Sequence, residues 1–397
     1  MSPDLKHSKA LLRAPKAPKP PAAHTLVKIA REYGVSPMRQ LREMIALNRG
    51  PGKLALHEYV STGAFDPDIA MADKKQYVGR TGSYLLNKAA NNFDLTVSRG
   101  FVRDKALFTQ LLHSVGIAAT KTQALIHPQR GLGTIPCLKG REDVVDFLAS
   151  RAVFPIFGKP VEGSGSIGSS LIQSVDASQG RLRLGNGQDV DLNAFAQELI
   201  ADYPEGFILQ SAIDQHSDLT RVIGTAIGTL RVVTLRDHTG IKPLYTLWKI
   251  PSPDAMSDNY WQNGSMIADV TIDGQVGHCA RGTGPNYHSL QRHPVSEIQF
   301  SNVRIPFWDK VLNTACAAHA VFPEFGVIGW DIALGQDGPI VVEANDNPYH
   351  ALYQTATRRG ARNPTMLAKF EAAASETSRL LDARVKTFQQ RKHAEQS

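Results

Sequence analysis

Cysteine is scarce. Cys137, Cys279 and Cys316 are the only three in 397 residues, and they lack the even number or paired spacing of a disulfide framework, a zinc site or a redox motif. Reduced, buried thiols are expected. Long apolar runs are missing as well: no stretch approaches the roughly 20 residues of a membrane-spanning helix, and the first residues carry no apolar segment of the signal-peptide kind. A cytoplasmic protein without a membrane span is the expectation. Hydrophobic residues at 42% and charged residues at 20% are ordinary for a globular chain, and the length allows two or three packed units with a substantial core.

An excess of one charge sign is confined to one segment. The formal charge is +7, but residues 1–20 hold Lys6, Lys9, Arg13, Lys16 and Lys19 against Asp4 alone. The remainder is nearly balanced, which argues against a specific reader of nucleic acid. With Pro15, Pro18, Pro20 and Pro21 interleaved, residues 1–23 cannot bury apolar surface and are expected to form a disordered basic tail. Residues 24–100 read as helical, with Leu26, Ile29 and Ala30 on one turn and Leu41, Met44, Ile45 and Leu47 on another, broken by Gly34, Gly50 and Pro51. They name no chemistry, and an N-terminal helical region packed on the body is expected.

Residues 340–348 carry the strongest chemical signal. Side chains alternate across a strand, so Glu343 and Asn345 share a face while Val342 and Ala344 turn to the other. Asp331 lies twelve residues before Glu343 in a second apolar run, 327–334, and Gln336, Asp337 and Gly338 provide a hairpin turn between the two. Folding that hairpin brings Asp331 beside Glu343 and Asn345. Two carboxylates and one amide oxygen suit Mg²⁺ bound with substrate phosphates better than zinc. The ordinary alternative is a pair of strand-end carboxylates facing water.

Upstream, Arg103, Asp104 and Lys105 open a helix whose apolar face is Ala106, Leu107, Leu111 and Leu112 and which Gly116 stops. Lys105 on its first turn is, taken alone, a solvated lysine. Strands at 122–126 and 153–159 flank a helical segment at 142–149, and the second strand is apolar except for Lys159. Immediately after it come Glu162, Gly163, Ser164, Gly165, Ser166, Ile167, Gly168, Ser169 and Ser170. A small-residue loop lets backbone N–H groups approach a polyphosphate closely, and Lys159 adds a point charge at its base. It is not a Walker A loop, since a strand at 170–175 follows it instead of a helix. A flap between antiparallel strands is expected, a plain flexible turn being the alternative. Residues 206–210 form a strand ending in Gln210, suited to a hinge that reads an adenine edge. In the alternating run 229–235, Arg231 shares a face with Thr229 and Val233 and requires either an anionic ligand or a buried ion pair. Strands near 243–250 and 266–272, a helix at 302–320 and a last helix at 364–392 complete the reading.

The ordered set of Lys159, the Gly/Ser loop, Gln210, Arg231 and the hairpin of Asp331, Glu343 and Asn345 resembles the ATP-grasp superfamily. Segments 229–234, 258–264, 329–333 and 343–348 are similar to the sugar-transfer-associated ATP-grasp group, itself similar to α-L-glutamate ligases. The resemblance covers about residue 104 to the carboxyl end and implies an α+β, ATP-grasp fold with two α+β subdomains clasping ATP: a lid at about 120–205 and a metal-binding subdomain at about 206–385, within a domain of residues 101–397. It implies that Lys105 and Lys159 contact ATP phosphates, that residues 163–170 cover them, and that Gln210 lies at the adenine hinge. Asp331, Glu343 and Asn345 are implied to hold two Mg²⁺ ions, with Mn²⁺ an accepted substitute, and Arg231 to stabilise the transferred phosphoryl group. Gln210 departs from the usual glutamate, and Gly228 from an asparagine expected there.

The implied activity is an ATP- and Mg²⁺-dependent ligase that joins a carboxylate to an amine or similar nucleophile through an acyl phosphate, in the modification of a sugar, polysaccharide or peptide. A small-molecule kinase on the same scaffold and a non-catalytic nucleotide-binding module are the other readings. The substrate pair and oligomeric state stay open, because Trp261, His278, Arg281 and His288 lack any spacing that spells out a ligand.

Overall fold

The computed structural model describes residue 11 and residues 22–163, 165–252, 255–258, 260 and 264–394. Seven helices precede the first strand: α1 (Ala22–Tyr33), α2 (Pro37–Arg49), α3 (Leu56–Ser61), α4 (Met71–Lys74), α5 (Arg80–Ala90), α6 (Arg99–Arg103) and α7 (Lys105–Ser114). Ser36 caps α2 by accepting from the Arg39 N–H, and Pro37 occupies its first turn, where a missing N–H costs nothing. Ile29, Met44, Leu47, Tyr59 and Phe65 form a small core of their own. Leu41 and Ile45, expected on the buried face with Met44, are 48% and 42% exposed. The buried stripe runs instead through Gln40, whose amide donates to the carbonyls of Leu26 at 3.0 Å and Val35 at 2.7 Å and so ties α1 to α2.

A first sheet follows, built from β1 (Thr122–Ile126), β2 (Cys137–Leu138), β3 (Ile156–Pro160), β4 (Ser170–Asp176), β5 (Arg181–Leu184), β6 (Asp189–Asp191) and β7 (Phe207–Ser211). Its order is β2-β1-β7-β3-β4-β5-β6. Helices α8 (Arg141–Ser150) and α9 (Leu192–Asp202) lay Val144, Phe147, Phe195 and Leu199 on it against Ile126, Ile156 and Leu209. Because β7 inserts between β1 and β3, this unit reaches Ser211, one strand beyond the boundary expected at 205. Leu11 is also buried in this core, its N–H donating to Glu198. Apart from Leu11, Ala22 and Ala23, the basic tail lies outside the described residues.

The second sheet contains β8 (Thr229–Asp237), β9 (Gly240–Ile250), β10 (Met266–Val270), β11 (Val276–Arg281), β12 (His288–Leu290), β13 (Val327–Gly335) and β14 (Gly338–Asn345). Its order is β12-β11-β10-β9-β8-β13-β14, antiparallel at every junction. Helix α10 (Ser217–Ile223) precedes it, α11 (Trp308–Ala320) leads into β13, and α12 (Ala351–Thr357) and α13 (Pro364–Ala394) follow β14. Helix α11 begins at Trp308, later than the expected 302, because Phe307 sits in the left-handed region at φ 53. One face of the sheet buries Val232, Trp248, Ile328, Trp330 and Ile332 against Phe108, Val311, Ala315 and Phe322. Alternation sends the remaining side chains of the central strands to the opposite face, where the polar site lies.

Trp330 anchors this arrangement directly behind Asp331. Its indole N–H donates to Thr234 Oγ1 at 2.8 Å, and its ring stacks 6.2 Å from Phe108. Trp330→Ala is expected to lower the unfolding free energy by about 3–5 kcal/mol, as read from the urea midpoint at unchanged slope.

Candidate active site

The β13–β14 hairpin closes at Gly338, whose φ of 138 only glycine adopts freely. Its register opposes Asp331 to Glu343 and Gly329 to Asn345, so the three side chains expected together are together on one face. Strand β8 sets Arg231 opposite Asp331, and β9 sets Leu247 opposite Arg231 and Lys249 opposite Thr229. Leu247, Arg231, Asp331 and Glu343 thus form one row across four strands.

Arg231, Lys249 and Asp331 are 8%, 7% and 6% exposed. Asp331 accepts from Arg231 Nε, from Arg231 Nη2 at 3.0 Å and from Lys249 Nζ at 3.0 Å. Lys249 Nζ also lies 2.8 Å from Asp258 Oδ2, to which Thr229 Oγ1 donates. Of the two alternatives for Arg231, the buried ion pair is present, and its Nη1 keeps no hydrogen-bond partner among the described residues. Burial opposes ionisation of Asp331, but Arg231 and Lys249 outweigh it and hold the carboxyl well below the usual range. Burial likewise works against the charge on Arg231, and Asp331 raises it above its ordinary value. Lys249 is raised in the same way, by Asp258 and Asp331 against burial.

Two further lysines reach this face from outside the second sheet. Lys159, near the end of β3, is 6% exposed, and its Nζ donates to Val342 O at 3.3 Å, bridging the first sheet to β14. Burial pushes its pKa down to about 8, a shift that Glu343 opposes and Lys105 deepens. Lys105 is buried on the first turn of α7, where Asp104 caps the helix by accepting from Ala106 and Leu107 at 3.0 Å. Its Nζ donates to Gly163 O at 3.0 Å, so it holds the entrance of the loop instead of facing water.

The loop itself joins antiparallel β3 and β4, as expected of a flap. Gly163, Gly165, Ser166 and Gly168 all have positive φ, and at Gly168 a Cβ would meet the Tyr203 hydroxyl at 2.2 Å. Ile167 is 48% exposed; Ser164 lies outside the described residues. On β7, opposite Phe157 of β3, Gln210 is 1% exposed, its Nε2 donating to Thr122 Oγ1 at 3.2 Å while its Oε1 is buried without a partner among the described residues. A buried amide oxygen left unpaired costs on the order of 1–3 kcal/mol, and the exocyclic amine of an adenine is a donor that relieves it. Gly228, where the resemblance leads one to expect asparagine, is a packing glycine. A Cβ there would meet Ile223 Cδ1 at 2.8 Å and Trp248 Nε1 at 2.9 Å.

For a dication, no group of three His, Cys, Asp or Glu side chains converges among the described residues. The donor set on the hairpin is two carboxylates and an amide. Asp331 spends three of a carboxylate's roughly four acceptor positions on Arg231 and Lys249. The Glu343 carboxylate accepts no hydrogen bond from a described residue, its strand pairing being through the backbone alone. Asn345 Nδ2 is buried without a partner, so its amide can turn either atom to the site without breaking a bond. These oxygens fit a hard cation that draws its remaining ligands from phosphate and water.

Lys249, Asp258 and Thr229 were not among the expected functional side chains, although Asp258 and Thr229 lie in the segments that carry the resemblance. The available signal was a lysine inside the apolar run 244–250, two residues from Leu247 and on its face. Tyr245 and His350 were also missed; their hydroxyl and Nδ1 lie 2.9 Å apart beside the Arg231 row.

No curated protein matches the chain in sequence. Among solved structures it is similar to an L-amino acid ligase from Bacillus licheniformis, at 11% identity and TM-score 0.38, covering 69% of this chain and 48% of that one. It is similar to a D-alanine–D-alanine ligase from Bacillus anthracis at 15% identity and TM-score 0.40, with 71% of each chain covered. A biotin carboxylase from Campylobacter jejuni matches at 10% identity and TM-score 0.41, over 69% of this chain and 46% of that one. The chain therefore spans about half the length of two of these three structures. In sequence, the family model described as sugar-transfer associated ATP-grasp matches residues 93–371. That is well over half of the chain, and it contains every residue placed in the site above: the protein belongs to the sugar-transfer associated ATP-grasp family.

Proposed function

We propose that the protein is an ATP- and Mg²⁺-dependent ligase that activates a carboxylate as an acyl phosphate and joins it to an amine or similar nucleophile. The observation that carries this reading is the convergence of four cations, Lys105, Lys159, Arg231 and Lys249, with the oxygens of Asp331, Glu343 and Asn345, where β3 and α7 meet the hairpin of the second sheet. Such an array supports neutralisation of charge spreading over a transferring phosphoryl group.

In this reading Gln210 Oε1 receives the adenine amine, and Lys105 and Lys159 hold the phosphates beneath the 163–170 loop. A substrate carboxylate oxygen forms a bond to the γ-phosphorus as the bond to ADP breaks. Arg231 Nη1 offers a donor to that phosphoryl group while Asp331 holds the guanidinium in place. The nucleophile's nitrogen then attacks the acyl carbon, phosphate leaves with the electron pair, and the nitrogen gives up a proton. Magnesium on Asp331, Glu343 and Asn345 supplies charge neutralisation and alignment of the phosphates when bound. The loop excludes water, to which an acyl phosphate is sensitive. Modification of a sugar, polysaccharide or peptide is the proposed setting.

Product analysis tests the reaction class. A ligase releases ADP and inorganic phosphate in equal amounts only when acid and nucleophile are both present, whereas ADP without free phosphate identifies a kinase. No ADP across a broad panel of acids, amines and sugars sinks both in favour of a binding module. Glu343→Gln is expected to reduce turnover about a thousandfold or more, equivalent to roughly 4 kcal/mol, with the circular dichroism spectrum unchanged. Near-normal turnover and metal dependence in that variant would remove the hairpin as the metal site. Lys159 gives a pH signature. Free, it is largely neutral above its depressed pKa of about 8, and bound phosphates restore its charge. Nucleotide binding near pH 9 is therefore expected to take up close to one proton. Calorimetry in buffers of different ionisation enthalpy reads this uptake, and Lys159→Ala should abolish it.

A further inference from the structure

Helix α5 lies outside the family-matched residues 93–371 and contributes none of the side chains placed in the site. Its buried face nevertheless carries polar side chains, Ser83 and Asn87, beside the apolar Leu86 and Ala90. Asn87 and Asn91, the latter the residue that caps the carboxyl end of the helix, are each 2% exposed, and they meet the open end of the β13–β14 hairpin, where the two strands have no turn to hold them.

Asn91 Nδ2 donates to Val327 O and Asp346 O, both at 2.8 Å, while its Oδ1 accepts from Gly326 N at 2.8 Å and Val327 N at 2.9 Å. One amide therefore spans the start of β13 and the residue that follows β14. Asn87 Nδ2 donates to Asn347 Oδ1 at 2.7 Å and Pro348 O at 2.8 Å. Because a backbone carbonyl can only accept, this fixes the orientation of the Asn87 amide, and its Oδ1 must accept from His350 Nε2 at 2.8 Å. His350 Nδ1 is then the acceptor for the Tyr245 hydroxyl at 2.9 Å. Tyr245 lies in the same cross-strand row as Val233, Gly329 and Asn345. The two asparagines thus grip the backbone after Asn345 and, through His350, the far end of its row. Asp346 is drawn away separately by Arg99 and Arg103 of α6.

We propose that Asn87 and Asn91 are positioning residues for the metal hairpin, holding Glu343 and Asn345 in the geometry that a dication bound with a nucleotide requires. This rests on the metal-site reading given above. Asparagine inside a helix costs roughly 0.5 kcal/mol relative to alanine; at Asn87 that cost is offset by an amide whose donors and acceptor are all engaged, while Asn91 lies at the carboxyl-terminal cap, outside the helix interior. A purely structural clamp would lower stability alike for every ligand state. A positioning clamp acts selectively on the metal.

The test is Mn²⁺ binding in the presence of ADP, followed by the electron paramagnetic resonance signal of free Mn²⁺, beside calorimetric binding of ADP without metal. Asn87→Ala and Asn91→Ala are expected to weaken Mn²⁺ by about 10-fold or more, as for residues that orient metal ligands, while metal-free ADP affinity stays within about twofold. Asn347→Ala serves if either variant fails to fold, since Asn347 is exposed and its loss removes a single contact of the clamp. A several-fold loss of Mn²⁺ affinity is expected for it. Unchanged Mn²⁺ affinity in folded variants, or equal loss of Mn²⁺ and metal-free ADP, overturns the positioning role while leaving the metal site standing. If wild-type protein binds ADP but no Mn²⁺, the metal site and the clamp fall together.

Discussion

A carboxylate buried in the middle of a sheet is unstable unless its charge is answered, and Asp331 imposes that condition on everything around it. Taking such an ion out of water costs several kcal/mol even after relaxation. Arg231 and Lys249 answer it from two neighbouring strands, and Asp258 in turn shares Lys249. The order β9-β8-β13-β14 is therefore also an electrostatic arrangement. A slip of one residue in β13 would put Asp331 into the face occupied by Trp330 and leave Arg231 buried without a partner.

That condition also explains why the site has two sides. The second sheet supplies the acidic row and the cations that balance it, while Lys159 and the Gly/Ser loop come from the first sheet and Lys105 from the helix before it. Lys159 touches β14 through a single backbone carbonyl, and its depressed pKa records a charge held in a dry place with too little opposite charge nearby. The unpaired Gln210 Oε1 tells the same story in neutral form. In the proposed function Lys159 meets the negative charge of the nucleotide's phosphates and Gln210 Oε1 the hydrogen-bond donor of its base.

The N-terminal helices named no chemistry in the sequence, yet they close the structure around the hairpin. Besides Asn87 and Asn91, the carbonyl and N–H of Val78 pair with the Gln354 amide of α12. Arg358 reaches Asp66 at 2.7 Å. These contacts join residues more than 230 positions apart and bury Asn87, Asn91 and Gln354, polar side chains whose local context reads as surface.

What could be read along the chain was whatever repeats over a few residues. Period-two alternation and an Asp-Gly turn were enough to pair Asp331 with Glu343 and to put Asn345 on their face, because strand geometry ties side-chain direction to residue number. The Gly/Ser loop between strands and the helix opening near Lys105 were legible for the same local reason, whereas the α+β class came from the resemblance of ordered motifs. Burial and long-range pairing were not. Leu41 and Ile45 carry the helical apolar period and still face solvent, while Gln40 and Leu11 are buried, since period says that a face exists but not which neighbour covers it. The membership of β7 in the first sheet, the ionic role of Lys249 and the reach of two asparagines to a hairpin some 240 residues away depend on which strands and helices become neighbours. Only the folded chain decides that, because the hydrogen-bond and charge partners that stabilise each of these residues do not exist until distant segments meet.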